Sequence, residues 1–317
     1  MINRILITGG CGFIGSHLSE YLFHKFQKAK IIIYDKITYA AKKQYINEIS
    51  SYPRVQFIKG DINDLKKLIT YSKNIDLLIH VAAESHVDKS FSLSNKFIVT
   101  NVLGTSKVME ACRINKIKKI VHVSTDEVYG EIFKGSFSET SRFNPSNPYS
   151  SSKAAAEMIV NGYKHSYKLP ITIVRSNNIY GTRQYPEKLI SGCCLSLIKK
   201  RKFYLHGTGK QKRTFLHVTD FCKAIYKIII NKKTAGQIYN IGSYEEFRNI
   251  DIVKFICNYL KVDFKKNIFF TKDRPFNDFR YSVNFSKLEK LSWAPKSNFK
   301  DKIAELIDWY KNNKDLF

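Results

Sequence analysis

Three glycines constrain this chain more than any other feature. Gly9, Gly12 and Gly15 form a GxxGxxG run directly after Arg4-Ile5-Leu6-Ile7-Thr8, an apolar stretch that reads as a β-strand. A helix is predicted from about Phe13 to Phe26, and Ile31-Ile32-Ile33-Tyr34-Asp35 then reads as a second strand. One glycine allows the tight turn, one lets backbone approach a pyrophosphate, and one lets helix and strand pack closely. The helix N-terminus adds free N–H groups and the positive end of its dipole. Asp35 lies 20 residues after Gly15, where a carboxylate takes the ribose hydroxyls of an adenosine. A 2′-phosphate would be repelled there, so NAD is expected rather than NADP, although Lys36 softens the repulsion. The fold class that follows is α/β, a Rossmann-type doubly wound parallel sheet.

The alternation continues. Val55-Gln56-Phe57-Ile58, Asp76 to Val81, Ile120-Val121-His122-Val123 and Leu169 to Arg175 are further strand-like runs. Their near-continuous apolar character suits strands buried on both faces. Long helices are predicted over Asn95–Asn115 and Tyr149–Tyr167, and their outer faces are the candidate homodimer surface. Asp61 is positioned to accept from an adenine amino group with Ile62 against the ring; the plainer reading is a cap for a helix starting near Asn63. Ala82 and Ala83 are small enough for a flat cofactor to lie close. His86 is expected to make a structural hydrogen bond. After about residue 180 the alternation loosens into short strands (Phe203–Leu205, Ile238–Ile241) among helices near 187–200, 219–231, 250–260 and 300–312. Residues 1–180 are therefore expected to form the NAD-binding domain, and 181–317 a smaller C-terminal α/β lobe for the substrate.

Composition excludes several classes. At 317 residues and 44% hydrophobic, the chain can bury a sizeable core and is not disordered. No run approaches the roughly 18 apolar residues of a membrane span, so no membrane partner is expected. Strand-like sequence begins almost at Met1, which leaves no secretory leader and suggests a cytoplasmic protein. The six cysteines include no CxxC pair, which fits reduced, buried thiols and no metal site. The formal charge of +26 invites a nucleic-acid reading, that of a non-enzymatic NAD- or RNA-binding protein. The lysines, however, are scattered in pairs such as Lys118-Lys119 and Lys199-Lys200, with no basic arm or aromatic-interleaved stripe. Compositional drift accounts for them, and no nucleic-acid partner is expected.

The chemistry gathers at Ser124-Thr125-Asp126-Glu127-Val128-Tyr129-Gly130, just past the Ile120–Val123 strand. Open α/β sheets bind ligands beyond the carboxyl ends of their strands. A hydroxyl and two carboxylates side by side there, with Tyr149 and Lys153 one helical turn apart downstream, make a set able to move both protons and hydride-linked protons.

These segments resemble the extended short-chain dehydrogenases/reductases, and within them the nucleotide-sugar 4,6-dehydratases acting on UDP-glucose or dTDP-glucose. The resemblance is carried by Gly9 to Gly15, Ala82 to Asp88, Ser124 to Gly130, Tyr149 to Lys153, Tyr185 to Ile190 and Arg274 to Tyr281, and covers nearly the whole chain. Thr125-Asp126-Glu127 is its most specific part, since related 4-epimerases carry small or hydroxyl residues in place of the two acids. Cys11 stands where Ala is common and Thr182 where Pro is common. The resemblance implies bound NAD, held by Gly9, Gly12, Phe13, Ile14, Gly15, Asp35, Lys36, Thr38, Asp61, Ile62, Ala82, Ala83 and Thr100 together with Tyr149 and Lys153. It implies nucleotide-sugar contacts from Ser85, Thr125, Asn178 (or Asn177 in the other register), Lys188, Leu189, Leu205, His206, Arg213, Asn249 and Arg274. Guanidinium forks at Arg213 and Arg274 suit diphosphate oxygens.

The implied reaction oxidises C4 of the sugar, eliminates water across C5 and C6, and returns the hydride to C6. Tyr149 would be the base at the C4 hydroxyl, with Lys153 favouring its phenolate and Thr125 bonded to the C4 oxygen. Glu127 would take the C5 proton and Asp126 would protonate the leaving hydroxyl. Adjacent carboxyls in a closed pocket raise one another's pKa, which keeps one protonated. Arg274-Pro275-Phe276-Asn277-Asp278 and Asn177-Asn178-Ile179-Tyr180-Gly181 are similar to the UDP-glucose enzymes of rhamnose synthesis, so UDP-glucose is expected ahead of dTDP-glucose. A 4-epimerase is the alternative from another class. It would need Tyr149 and Lys153 but neither Asp126 nor Glu127.

Overall fold

The computed structural model describes residues 2–317, apart from the side chains of Lys43 and Ile46. Its centre is a seven-stranded, wholly parallel sheet. The strands are β1 (Arg4–Thr8), β2 (Lys30–Asp35), β3 (Val55–Lys59), β4 (Leu77–His80), β5 (Ile120–Thr125) and β6 (Ile171–Ser176). Three strands outside this sheet follow, β7 (Asn178–Tyr180), β8 (Phe203–His206) and β9 (Lys212–His217), before β10 (Ile238–Ile241) completes it. The sheet order is β10-β6-β5-β4-β1-β2-β3. The chain leaves β1 in one direction through β2 and β3 and in the other through β4, β5 and β6. The point of reversal therefore lies between β1 and β4, and there the carboxyl ends open a crevice.

Alternation along each strand feeds two cores. Ile5, Ile7, Ile31 and Ile33 pack under the helices Phe13–Lys25 and Val218–Ile230, while Leu6, Ile32, Tyr34 and Leu78 pack under Gly104–Ile114 on the other face. This double burial is why the strands read as unbroken apolar runs. A third core (Ile190, Cys194, Ile252, Ile256, Ile303 and Tyr310 among its members) builds the C-terminal lobe. That lobe carries the small sheets β11-β9-β7 and β12-β8, where β11 is Glu246–Arg248 and β12 is Ile268–Thr271.

Two expectations need correction. The division at 180/181 does not follow the sheet, because the helix Val218–Ile230 and β10 return to the first layer and β10 pairs with β6 from Ile238↔Ile173 to Ile241↔Ser176. Ile238–Ile241 is too short and isolated in sequence to declare which sheet it joins. The single helix predicted over 95–115 is interrupted by a wider π-type turn at Ile98–Leu103. That turn swings Asn101 inward, where its amide bridges the Glu84 backbone (2.8 and 3.0 Å) and Ser152 Oγ (2.8 Å).

Candidate active site

At the β1/β4 crevice the chain encloses a cavity of about 1230 Å³. Every residue assigned above to chemistry, cofactor or substrate lines its wall. One end is the glycine loop. Gly9 has φ +71°, and a Cβ there would sit 2.7 Å from the Ala82 backbone. At Gly15 a Cβ would lie 2.0 Å from the Gly9 carbonyl, so only glycine lets the helix Phe13–Lys25 close on the strand. Asp35 is buried at the tip of β2, where its carboxylate accepts from Cys11 N (2.9 Å) and Ile37 N (2.7 Å). Burial pushes its pKa up against those two bonds. Lys36 pairs with Asp61 at 2.6 Å. Asp61 does not cap the next helix; Asp64 does, accepting from Lys67 N at 3.0 Å. A backbone cradle that leaves no room for a side chain, next to a fixed carboxylate, fits the adenosine half of NAD.

The far end holds the acids. Thr125 ends β5 and the chain then coils through a single 3₁₀ turn, Asp126–Tyr129. Asp126 is only 2% exposed. Its Oδ2 accepts from Asn177 Nδ2 at 2.6 Å, and Thr125 Oγ1 donates to Oδ1 at 3.4 Å. Burial, and after it the neighbouring Glu127 charge, push the Asp126 pKa up to about 7. Burial also raises Glu127, and Lys188 and Arg213 oppose it. Tyr149 and Lys153 come from the helix Pro148–Ser166, started by Asn147, whose side chain accepts from Ser150 N at 2.9 Å. Burial and the Glu127 charge push the Tyr149 phenol up, against a hydrogen bond with Thr125. Lys153 stands one helical turn further on, and it too is buried. Its ammonium donates to the Val123 carbonyl at 2.7 Å, and burial lowers its pKa to about 8.

Several neighbours escaped the sequence reading. Asn177, weighed only as a sugar contact, is buried and holds Asp126, while Asn178 on β7 lines the cavity. Tyr281 Oη lies 3.5 Å from Glu127 Oε2 and donates to the Asp278 carboxylate, which Ser146 Oγ also meets at 2.8 and 2.6 Å. These residues sit in or beside segments quoted for the resemblance, but their spacing says nothing of reaching Glu127. His86 is structural, as expected: Nε2 contacts the Glu187 carbonyl at 2.9 Å and Nδ1 accepts from Lys89 N at 3.2 Å. Arg213 departs from expectation. Its Nη1 and Nη2 already donate to the carbonyls of Lys212, Phe279 and Asp278 and to Asn277 Oδ1, so they are not a free fork. Arg274 instead meets the Asp88 carboxylate at 2.5 and 3.0 Å.

A doubly wound parallel sheet, a glycine cradle, an acid pair and a Tyr/Lys couple in one cavity define an extended short-chain dehydrogenase/reductase that works with NAD. Residues 6–306 match the family described as GDP-mannose 4,6 dehydratase, and the chain belongs to that family, whose members of this type are NAD-dependent hydro-lyases of nucleotide sugars. It is 40% identical to the dTDP-D-glucose 4,6-dehydratase of Dictyostelium discoideum, over 100% of this chain and 83% of that protein. It is 39% identical to a trifunctional UDP-glucose 4,6-dehydratase/3,5-epimerase/reductase of Arabidopsis thaliana over 98% of this chain, but spans only 47% of that longer protein. The dTDP-glucose 4,6-dehydratase of Streptomyces venezuelae, solved with NAD bound, superposes with a TM-score of 0.96 at 35% identity, covering 99% of this chain and 98% of that one.

Proposed function

We propose that the protein dehydrates UDP-glucose to UDP-4-keto-6-deoxyglucose, a step of rhamnose or other deoxysugar synthesis. The observation that carries the reading is the convergence of Asp126, Glu127 and Tyr149 in one buried cavity with a glycine cradle for NAD. NAD held in the glycine cradle would supply the hydride acceptor for C4 and the hydride donor for C6. Tyr149 takes the C4 hydroxyl proton, and Thr125 bonds the C4 oxygen. Lys153, anchored on the Val123 carbonyl, fixes the nicotinamide end. Glu127 removes the C5 proton that the C4 ketone has acidified and returns it to C5 when hydride reaches C6. Asp126, kept protonated by burial, delivers its proton to the departing 6-hydroxyl.

That assignment sets a pH dependence. The step needs Asp126 protonated, and its pKa is about 7, so elimination should slow as pH rises through about 7. A kcat profile with no alkaline limb near neutrality would remove Asp126 from the role of acid. Phe276-Asn277 favours the UDP sugar, and the dTDP-sugar enzymes among the relatives favour dTDP-glucose as the second reading. Incubating the purified protein separately with each sugar decides between them: the substrate yields a product lighter by one water, with no net NADH.

The same reading includes a homodimer and a cytoplasmic location. Ile98, Leu103 and Met158 stand 44%, 51% and 52% exposed on the two neighbouring helical segments, an apolar face suited to a second copy. Light scattering should give twice the chain mass, and Leu103→Lys should return it to one chain. All six cysteines are buried free thiols, in keeping with a reducing compartment.

A further inference from the structure

Ion pairs between distant parts of the chain tie the two sides of the cavity together, Lys89 to Glu187 at 3.2 Å and Asp88 to Arg274. Asp88 lies in the first turn of the helix Val87–Ser92, on the cofactor side, and Arg274 lies in the segment after β12, on the substrate side. Arg274 Nε donates to Asp88 Oδ1 at 2.5 Å and Nη2 to Oδ2 at 3.0 Å. Asp88 therefore uses one edge of the guanidinium, and the other edge, made by Nη1 and the second N–H of Nη2, has no hydrogen-bond partner among the described residues. Arg213, the other arginine of the cavity, has both terminal nitrogens tied to carbonyls. The backbone beneath Arg274 is fixed as well. Asp273 accepts from Arg274 N at 2.9 Å, from Asn277 Nδ2 at 2.8 Å and from Gln211 Nε2 at 2.9 Å.

We propose that Asp88 is a positioning residue for substrate recognition: it locks the Arg274 guanidinium so that its free edge meets the diphosphate of the nucleotide sugar. This rests on the reading that Arg274 is the diphosphate ligand. A long flexible side chain already held by a carboxylate on a helix loses less rotamer freedom when the anion arrives. The carboxylate also sets a cost for the arrangement, because it stands near an incoming anion. Rigidity outweighs that repulsion only while the guanidinium lies between the two charges.

Asp88→Asn keeps the shape but not the charge, so the arginine is released. UDP affinity of the NAD-loaded protein, measured by calorimetry, should fall about three- to tenfold, the cost of freezing one such side chain on binding. Uridine, which lacks the diphosphate, should bind as before. In turnover KM should rise by more than kcat falls, and Asp88→Glu should recover part of the loss. In an Arg274→Met background the Asp88→Asn change should do nothing further. If Arg274→Met weakens UDP while Asp88→Asn leaves it unchanged or tightens it, the positioning role is wrong and the ligand reading stands. If Arg274→Met leaves UDP affinity unaltered, the ligand reading itself fails. Equal weakening of uridine and UDP by Asp88→Asn would mark a general structural role and overturn the proposal.

Discussion

Asp126→Asn should leave a protein that still oxidises its sugar at C4 but no longer expels the 6-hydroxyl. The side chain is buried and nearly isosteric with asparagine, and an amide oxygen can still accept from Asn177 Nδ2. What disappears is the transferable proton. A positioned acid contributes about 10²–10⁴-fold, so dehydration should fall by that factor. Reduced nicotinamide should meanwhile accumulate on the protein, visible as its absorbance after mixing with substrate. Retention of the parental rate of water loss would remove Asp126 from the mechanism. A product inverted at C4 with all its oxygens, formed by the unaltered protein, would make it an epimerase instead.

The second large effect lies behind the acids. Arg175 on β6 and Glu157 on the helix that carries Tyr149 form an ion pair with side-chain exposures of 3% and 0%. Arg175 Nε reaches both carboxylate oxygens (3.0 and 3.1 Å) and Nη2 reaches Oε2 at 2.7 Å. Nη1 donates to Tyr129 Oη (2.7 Å) and to the Glu139 carbonyl (3.1 Å). Arg175→Met strands a buried carboxylate and takes one of two partners from Tyr129 Oη, which keeps its bond to Asn240 Oδ1 at 2.9 Å. Removing one partner of a buried pair costs about 3–5 kcal/mol. The urea midpoint should drop at unchanged slope. Adding Glu157→Leu should recover much of the loss, because a pair replaced by apolar groups leaves no stranded charge. A single-variant loss below about 1 kcal/mol would show that water or a local shift rescues the carboxylate.

The fold was largely written in local pattern. Ile5-Leu6-Ile7 and Ile31-Ile32-Ile33 can hardly be anything but strands buried on both faces, and Gly9, Gly12 and Gly15 fix what lies between them. The acids were legible for the same reason: they follow a strand that any doubly wound sheet must end at its ligand. What escaped depends on contacts between residues far apart in sequence. Nothing near Tyr281 says that it reaches Glu127 across 154 positions. Nor does anything near Arg213 say that its two terminal nitrogens are taken by carbonyls and by Asn277. The π-type turn at Ile98–Leu103 hides because its apolar spacing is that of an ordinary helix; only the bonds of Asn101 disclose it.

The late return of β10 has a consequence for ancestry and engineering alike. The outermost rung beside β6 comes from a segment reached only after the 61 residues between Ser176 and Ile238, many of which belong to the other lobe. The cofactor half is thus not a severable module. Cut after residue 180, it would present β6 as a raw edge of unpaired amides flanked by Ile171, Ile173 and Val174, an invitation to mispair with other chains. Swapping substrate lobes between relatives would succeed only if the graft carries this rung along, so specificity and scaffold have had to evolve as a single interleaved piece.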